Sequence, residues 1–177
     1  MVLVAVLAIL PFALRVPDAV MRTVYPLRYE VAIKEASEEN GLEPAFVAAV
    51  IYTESRFRPD VESHQQAYGL MQLLPQSAHY IQRKSGIKGD FRDPEVNIRL
   101  GTWFLGYLDD RYEGDERLML AAYNSGEGSV DAWTSEEGFD IKKDIPYKET
   151  RQYVDRALEA RETYQEIYGR DLRQSGD

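Results

Sequence analysis

The chain has 177 residues, with 21 Lys and Arg against 30 Asp and Glu and a formal net charge of -9. Its length predicts one compact domain with its own core and is too short for two domains and a linker. The acidic balance argues against nucleic acid as a partner, and the lack of cysteine in the sequence excludes a disulfide framework, a thiolate nucleophile and a cysteine-based zinc site.

The first fourteen residues, MVLVAVLAILPFAL, carry no charged side chain. The run is shorter than the roughly 20 apolar residues of a spanning helix, and it lacks a preceding basic stretch and a clear cleavage site. We expect residues 1–22 to form an uncleaved single-pass membrane anchor. A cleaved signal peptide and a buried core helix are the alternatives. Arg15 and Arg22 follow the run and would favour a cytoplasmic carboxyl side, so an extracytoplasmic orientation has to be argued from function.

Two helices are predicted after this segment. The stretch YPLRYEVAIKEASEENG is typical of a helix that is opened by Pro26 and ended by Asn40 and Gly41. A second helix is expected to begin at Pro44 and to end before Pro59, because proline suits a first turn and bars continuation.

Glu54 lies near the end of this second helix, where the pattern predicts an apolar side chain. Ile51, Val50, Val47 and Phe46 precede it at helical spacings, so the carboxylate should lean toward the core. Burial and the negative end of the helix dipole both disfavour the anion, which predicts a raised pKa and a proton held near neutral pH. A general acid needs that property. The alternative is a solvated Glu54 paired with a basic side chain four residues on, at position 58.

The middle of the chain changes its pattern twice. Residues 57–74 have no helical period, and HQQAYGLMQLL is compatible with a small hairpin or an irregular strand. Helical signals resume at Pro75. The run DPEVNIRLGTWFLGYLDDRY then begins with Asp93 as a cap and Pro94 in the first turn. Its predicted inward face consists of Val96, Leu100, Trp103, Phe104, Tyr107 and Leu108.

The remaining sequence predicts two more helices. DERLMLAAYNSGEG should stop at residues 124–126, and YKETRQYVDRALEARETYQEIYG should form a long final helix. The inward positions of that helix are Tyr153, Val154, Ala157, Leu158, Tyr164 and Ile167. The fold class expected is therefore mainly α, a bundle-like domain at residues 23–170 with a small hairpin beside a cleft. Residues 171–177 are expected to be a frayed tail.

Three short stretches carry more polar detail than helix packing requires: ES at 54–55, YGLMQ at 68–72 and AAYNSG at 121–126. In this order and spacing they resemble the lytic transglycosylases of the goose-type lysozyme-like superfamily, the soluble-lytic-transglycosylase domain that cleaves bacterial cell-wall glycan. The resemblance extends from about residue 25 to residue 164 and implies an α+β lysozyme-like fold. Further residues that carry it are Asn97, Gly101, Ile145, Pro146, Glu149, Thr150, Arg151, Tyr153 and Val154.

The resemblance also implies roles for individual residues. Glu54 would be the catalytic acid and base, and Ser63 would contact the substrate near the reacting sugar. The other substrate-binding positions would be Gly69, Met71, Gln72, Tyr123, Asn124 and Glu149. Taken singly, Gln72 and Asn124 could equally be loop caps, and tight backbone geometry is enough to explain Gly69.

A single candidate carboxyl suits a substrate-assisted reaction. Ordinary glycosidases use two carboxylates, but Asp60 and Glu62 follow a proline in a polar loop, where solvated charges are expected. As the resemblance implies, Glu54 would protonate the leaving oxygen, and the substrate's N-acetyl group would stabilise C1. Glu54 would then act as base on the 6-hydroxyl of N-acetylmuramic acid, giving a 1,6-anhydro sugar. No cofactor or metal is required, and His64 and His79 are too few for a His-rich metal site.

The function expected is lytic cleavage of the beta-1,4 bond between N-acetylmuramic acid and N-acetylglucosamine outside the cytoplasmic membrane. The expected partners are peptidoglycan strands and, through the N-terminal segment, the membrane; the protein should be a monomer, secreted if that segment is cleaved. The alternatives are a lysozyme-type hydrolase on the same fold and a catalytically silent wall-binding module in which Glu54 is structural. A nucleic-acid-binding or phosphate-binding module lacks both a basic surface and a Gly-rich phosphate loop.

Overall fold

The structure is a computed structural model, and it describes residues 17–172. Eight helices follow one another in this range: α1 (Asp18–Val24), α2 (Glu30–Glu39), α3 (Pro44–Ser55), α4 (Pro75–Ser85), α5 (Pro94–Arg111), α6 (Glu116–Ser125), α7 (Glu127–Thr134) and α8 (Lys148–Tyr168). The prediction of a mainly α fold is confirmed.

Helix α3 is the centre of the fold. Every residue from Ala45 to Tyr52 is buried, and a helix that is apolar on all sides must lie inside a core. It packs along α8, which also contacts α6, while α2 contacts both α3 and α5. This arrangement places the end of α3, and with it Glu54, against α8.

Two helix boundaries that the sequence predicts from capping residues are found in the structure. The side chain of Asp93 accepts hydrogen bonds from the backbone N–H groups of Glu95 and Val96 at 3.0 and 3.1 Å, so α5 begins as predicted. Asn40 and Gly41 end α2, and Gly41 has a left-handed φ of 68°.

The predicted start of α2 was wrong, because the helix begins at Glu30 and not at Pro26. The backbone carbonyls of Tyr25 and Pro26 accept hydrogen bonds from the hydroxyls of Tyr168 and Tyr164, at 2.9 and 2.8 Å. These two bonds tie the segment before α2 to α8 and keep it out of the helix.

The small hairpin is not formed as a ladder. In the described part of the loop, β structure is limited to two isolated antiparallel bridges, from Tyr68 to Glu62 and from Tyr68 to Leu73. Gln66 and Gln72 have φ values of 65° and 48°, which turn the chain too often for paired strands. The prediction of a small hairpin is therefore wrong, and the described loop residues form only these two bridges in its place.

Two further differences concern α5 and α7. On the predicted inward face of α5, only Leu100 and Leu108 are fully buried, and the other residues are partly exposed. The adjoining face is fully buried because α2, α4 and α6 all pack on this helix. That enclosed face consists of Asn97, Ile98, Gly101, Thr102 and Leu105. Helix α7 was not predicted; it begins after Gly126, whose φ of 85° redirects the chain out of α6.

Both ends of the predicted domain differ in detail from the structure. Helix α1 begins at Asp18, before the predicted boundary at residue 23, and Arg22 bonds Asp171 at 3.0 Å. Leu172 is buried and Asp171, although exposed, pairs with Arg22, so the first two residues of the predicted tail contact the rest of the domain. Residues 1–16 and 173–177, with most of the predicted anchor, lie outside the described residues. None of the helices in residues 17–172 has the length and apolar character needed to cross a membrane.

Candidate active site

Glu54 lies in the last turn of α3 and is half-buried, with its carboxyl turned toward α8. The hydroxyl of Tyr153 donates a hydrogen bond of 2.7 Å to Oε1 of Glu54. Burial raises the pKa of Glu54 from 4.5 to about 7, and this outweighs the lowering by the Tyr153 hydroxyl and by the charge of Arg156. The carboxyl therefore keeps a large protonated fraction at neutral pH.

The alternative partner, Arg58, lies elsewhere. Its side chain is exposed, and its Nε donates to the backbone carbonyl of Ser55 at 3.0 Å. Among residues 17–172, no ion pair joins Arg58 to Glu54. The alternative, a solvated Glu54 in a surface ion pair with Arg58, does not fit this geometry.

An open cavity of about 410 Å³ lies in front of Glu54. Six of the predicted site residues line it: Glu54, Ser63, Gln72, Tyr123, Asn124 and Glu149. They come from α3, the 57–74 loop, α6 and the first turn of α8, so distant parts of the chain meet at one site. Asp60 and Glu62 are exposed and are not among the lining residues, which leaves Glu149 as the other carboxylate at the cavity wall.

The loop side of the cavity is held by side-chain bonds to its own backbone. Oγ of Ser63 accepts from the N–H groups of Gln65 and Ala67 at 3.2 and 3.0 Å. Nε2 of Gln72 donates to the carbonyls of Val61 and Gly69, both at 2.9 Å. Gln72 is thus a loop cap that also lines the cavity, and its Oε1 is the end of the amide available to a ligand.

Gly69 and Met71 do not reach the cavity, in contrast to the prediction that they bind substrate. Both are buried, and the backbone of Met71 is held by Asn97, whose Oδ1 accepts a hydrogen bond from the Met71 N–H at 2.8 Å. A Cβ on Gly69 would lie 2.7 Å from Nδ2 of Asn97, and one on Gly101 would lie 2.4 Å from Sδ of Met71. These residues form the packed floor under the cleft.

Tyr123 and Asn124 form the α6 side of the cavity. The hydroxyl of Tyr123 donates to the carbonyl of Met71 at 2.8 Å, and burial followed by the nearby Glu54 charge raises its pKa well above the usual value. Oδ1 of Asn124 accepts from Oγ1 of buried Thr150 at 2.9 Å. With Oδ1 engaged, Asn124 offers its Nδ2 donors to the cavity.

Sequence reasoning missed the direct partners of two site residues. Tyr153 was predicted to face inward, but its bond to Glu54 was not foreseen, although a buried tyrosine hydroxyl requires a partner. Thr150 was recognised only as part of a motif. Both lie on α8, near Glu149, and their roles depend on how α8 packs against α3 and α6.

The cavity continues as a groove beyond Asn124. A second cavity of about 640 Å³ shares Leu74, Ser77, Phe104, Tyr123 and Asn124 with the first. Its wall includes aromatic rings, with Phe104 and Tyr123 centred 5.8 Å apart. An open groove with aromatic walls beside a protonated carboxyl suits a polymeric ligand made of sugar rings, whose apolar faces can pack on those walls. Within residues 17–172, no group of three or more His, Asp or Glu side chains is placed to hold a metal ion.

Comparison with known proteins identifies similar chains. The sequence model of the transglycosylase SLT domain matches residues 31–146. The chain is 31% identical over 144 residues to the soluble lytic murein transglycosylase of Escherichia coli, covering 76% of this chain and 22% of that protein. It is 36% identical over 116 residues to the membrane-bound lytic murein transglycosylase C of Salmonella arizonae, covering 58% of this chain and 32% of that protein.

Solved structures give the same result. The 70 kDa soluble lytic transglycosylase of Escherichia coli superposes with a TM-score of 0.80 at 30% identity, covering 84% of this chain and 26% of that one. An inactive mutant of a lytic transglycosylase from Pseudomonas aeruginosa superposes with a TM-score of 0.79 at 31% identity, covering 87% of this chain and 26% of that one. The chain spans less than a third of the length of each of these relatives.

Proposed function

The chain belongs to the transglycosylase SLT domain family, and from this membership and its site we propose that it is a peptidoglycan lytic transglycosylase. The reaction is non-hydrolytic cleavage of the beta-1,4 bond between N-acetylmuramic acid and N-acetylglucosamine. The observation that carries the proposal is the Glu54 carboxyl, raised to a pKa of about 7 by burial and held by Tyr153 at the wall of an open groove.

In the first step, protonated Glu54 donates its proton to the glycosidic oxygen as the bond from that oxygen to C1 breaks. The carbonyl oxygen of the substrate's own N-acetyl group forms a bond to C1 as the glycosidic oxygen leaves, which takes up the positive charge, so no second carboxylate is needed. Asp60 and Glu62, which point to solvent, have no part in this step.

In the second step, the Glu54 carboxylate removes the proton from the 6-hydroxyl of N-acetylmuramic acid. The freed O6 forms a bond to C1, the acetamido oxygen leaves C1, and the proton returns to Glu54. The product is a 1,6-anhydro sugar, and water is neither consumed nor released.

The other lining residues position the glycan. Asn124 presents Nδ2, fixed by Thr150, to a carbonyl oxygen of the substrate, while Gln72 presents Oε1 to a hydroxyl or amide donor. Ser63 lines the cavity from the 57–74 loop, and Glu149 lines it from the first turn of α8. Gly69 and Met71 act beneath the cleft, by supporting the loop that carries Gln72 and the carbonyl that holds Tyr123.

A hydrolase on the same fold is the nearest competing function. Mass spectrometry of purified wall digested with the protein separates the two, because the anhydro product is lighter than the hydrolytic product by one water. We expect the anhydro product from the wild type and no product from Glu54→Gln. Hydrolytic products would support the lysozyme-type alternative, and binding without any product would support the silent wall-binding module.

Location at the membrane is a further part of the proposal. It is supported by the uncharged run at residues 1–14 and by the membrane-bound name of the Salmonella relative. The described helix nearest to that run, α1, is short and has no buried residue. Protease added to intact spheroplasts should remove the catalytic domain, and protection of the domain would contradict an extracytoplasmic location.

A further inference from the structure

A third, smaller cavity of about 150 Å³ lies between α3, α8 and the segment before α2. Its polar lining consists of Tyr25, Tyr52, Thr53, Arg56, Arg156 and Glu159. It shares no lining residue with the groove in front of Glu54, although Thr53 is the immediate neighbour of Glu54 in the chain. This cavity is therefore distinct from the proposed substrate site.

Arg56 is held in place at the wall of this cavity. It follows the last residue of α3 with a left-handed φ of 54°, which turns the chain away from the helix axis. Its guanidinium carbon lies 4.1 Å from the centroid of the Tyr52 ring, and that ring is only 6% exposed. Stacking uses the face of a guanidinium, and the N–H groups of Arg56 that do not bond the Tyr52 hydroxyl can bind an anion.

The charge in the cavity is net positive, with two guanidinium groups against the one carboxylate of Glu159. In the described range, neither Arg56 nor Arg156 belongs to an ion pair, whereas Arg111 and Arg161 each contact two carboxylates. Two guanidinium groups without a carboxylate partner, in a chain with a formal charge of -9, supply the donors and the charge that bind a small oxyanion.

We propose that this cavity binds a small phosphate-class oxyanion and that its occupancy controls the acid form of Glu54 through Arg156. Arg156 follows Tyr153 on α8 by one helical turn, so the same helix contacts both the catalytic carboxyl and the anion cavity. The groups that act on the Glu54 carboxyl are Tyr153 and Arg156 from α8 and Tyr123 from α6.

The direction of this control follows from the charge of Arg156. That charge lowers the pKa of Glu54 against the larger rise caused by burial. A bound anion offsets the charge of Arg156, so the pKa of Glu54 rises further and the acid form persists to higher pH. By linkage, the anion binds more tightly when Glu54 is protonated. Binding of the anion does not depend on the proposed enzymatic function, whereas the effect on catalysis does.

Binding is tested with the full chain, using inorganic phosphate and glycerol phosphate against sodium chloride at equal ionic strength. Phosphorus NMR and thermal melting should show a saturable response in the wild type that is lost in Arg56→Gln and Arg156→Gln. Arg58→Gln is the matched control, an exposed arginine two residues from Arg56 and outside the cavity, and it should respond like the wild type. A response to inorganic phosphate alone indicates a free anion, and a response to both probes indicates that a phosphate ester is also accepted. An absent response, or the same response in all three variants, overturns the anion site.

Control of Glu54 is tested by carbon NMR titration of its carboxyl, with and without saturating phosphate. We expect the midpoint to move upward by about half a pH unit, the size of a weak, partly screened interaction between two unit charges. Arg156→Gln should show an already raised midpoint that phosphate no longer moves. A wild-type midpoint unchanged by bound phosphate would overturn the control. Because no glycan is present, this failure is distinguishable from a failure of the enzymatic proposal, which is decided by the wall products.

Discussion

The hydroxyl of Tyr153 lies 2.7 Å from Oε1 of Glu54, although 99 residues separate the two in the chain. This hydrogen bond joins the central helix α3 to the final helix α8, which form the most extensive helix pair of the fold. The bond fixes the orientation of a carboxyl that burial keeps largely protonated. Folding thus produces both the position and the protonation state that an acid catalyst requires.

Glu54→Gln should abolish wall cleavage, because removal of a general acid alone typically lowers the rate by about 10² to 10⁴. Glu62→Gln is the matched control, since Glu62 is an exposed carboxylate of the neighbouring loop. The release of anhydro products by both variants should be measured at the same pH. Retention of more than about a tenth of the wild-type rate in Glu54→Gln would contradict its role as the acid.

The same substitution should stabilise the fold in a defined pH window. The pKa of Glu54 is raised from 4.5 to about 7, so above pH 7 both states carry the Glu54 anion, but burial penalises that anion only in the folded state. The gain from Gln should be on the order of 3 kcal/mol above pH 7, should shrink as the pH falls from 7 to 4.5, and should vanish below that range. Urea unfolding at several pH values measures it, and a gain that is equal at pH 4 and pH 8 would be inconsistent with this account.

Tyr153→Phe should lower kcat about tenfold while leaving KM nearly unchanged, because Glu54, the proposed acid, loses the bond that orients its carboxyl. The alkaline limb of the activity profile should also move to higher pH, since the hydroxyl of Tyr153 lowers the pKa of Glu54. Tyr164→Phe is the matched control: it removes a buried hydroxyl on α8 that bonds the carbonyl of Pro26. The control should lose stability without any shift of the pH profile, and a shift of equal size in both variants would contradict the assigned role.

Thr150→Val should raise KM about fivefold with a smaller effect on kcat, because Asn124 loses the bond that orients its amide, worth about 1 kcal/mol. Thr150→Ser keeps the hydroxyl and should restore the wild-type KM. Steady-state kinetics on a defined glycan oligomer makes the comparison. If Ser and Val behave alike, Thr150 acts through packing alone.

Gly101→Ala should destabilise the fold by about 1 to 3 kcal/mol, because a Cβ there would lie 2.4 Å from Sδ of Met71. Helix propensity alone predicts the opposite sign, since Ala is favoured over Gly inside a helix. Gly128→Ala in α7 is the control, because no atom lies within 4 Å of its added Cβ. Denaturant unfolding should show loss of stability at position 101 and none at 128, and equal effects at both positions would argue against a packed floor under the cleft.

Local sequence signals were sufficient for much of the fold. The cap at Asp93, the stop at Asn40 and Gly41, and the proline at the start of α3 are short-range features whose effects do not depend on the rest of the chain. Periodicity also placed Glu54 on an inward face. These features fix individual helices, and with them the mainly α class.

Tertiary contacts account for what the sequence did not reveal. The predicted start of α2 was wrong because two tyrosine hydroxyls of α8 donate hydrogen bonds to the carbonyls of Tyr25 and Pro26. These donors lie far along the chain, so no local pattern indicates them. Met71 was expected at the substrate because it belongs to a motif, yet its N–H and carbonyl hold the floor and its side chain is buried. A motif identifies residues that matter to a site but does not separate those that line it from those that support it.

The central claim is that folding holds Glu54 as an acid at neutral pH, and titration of its carboxyl by carbon NMR tests it most directly. We predict a midpoint of about 7, matched by an activity that falls as the pH rises through the same value. A midpoint at or below the ordinary 4.5 would contradict the claim and return Glu54 to a solvated surface carboxylate.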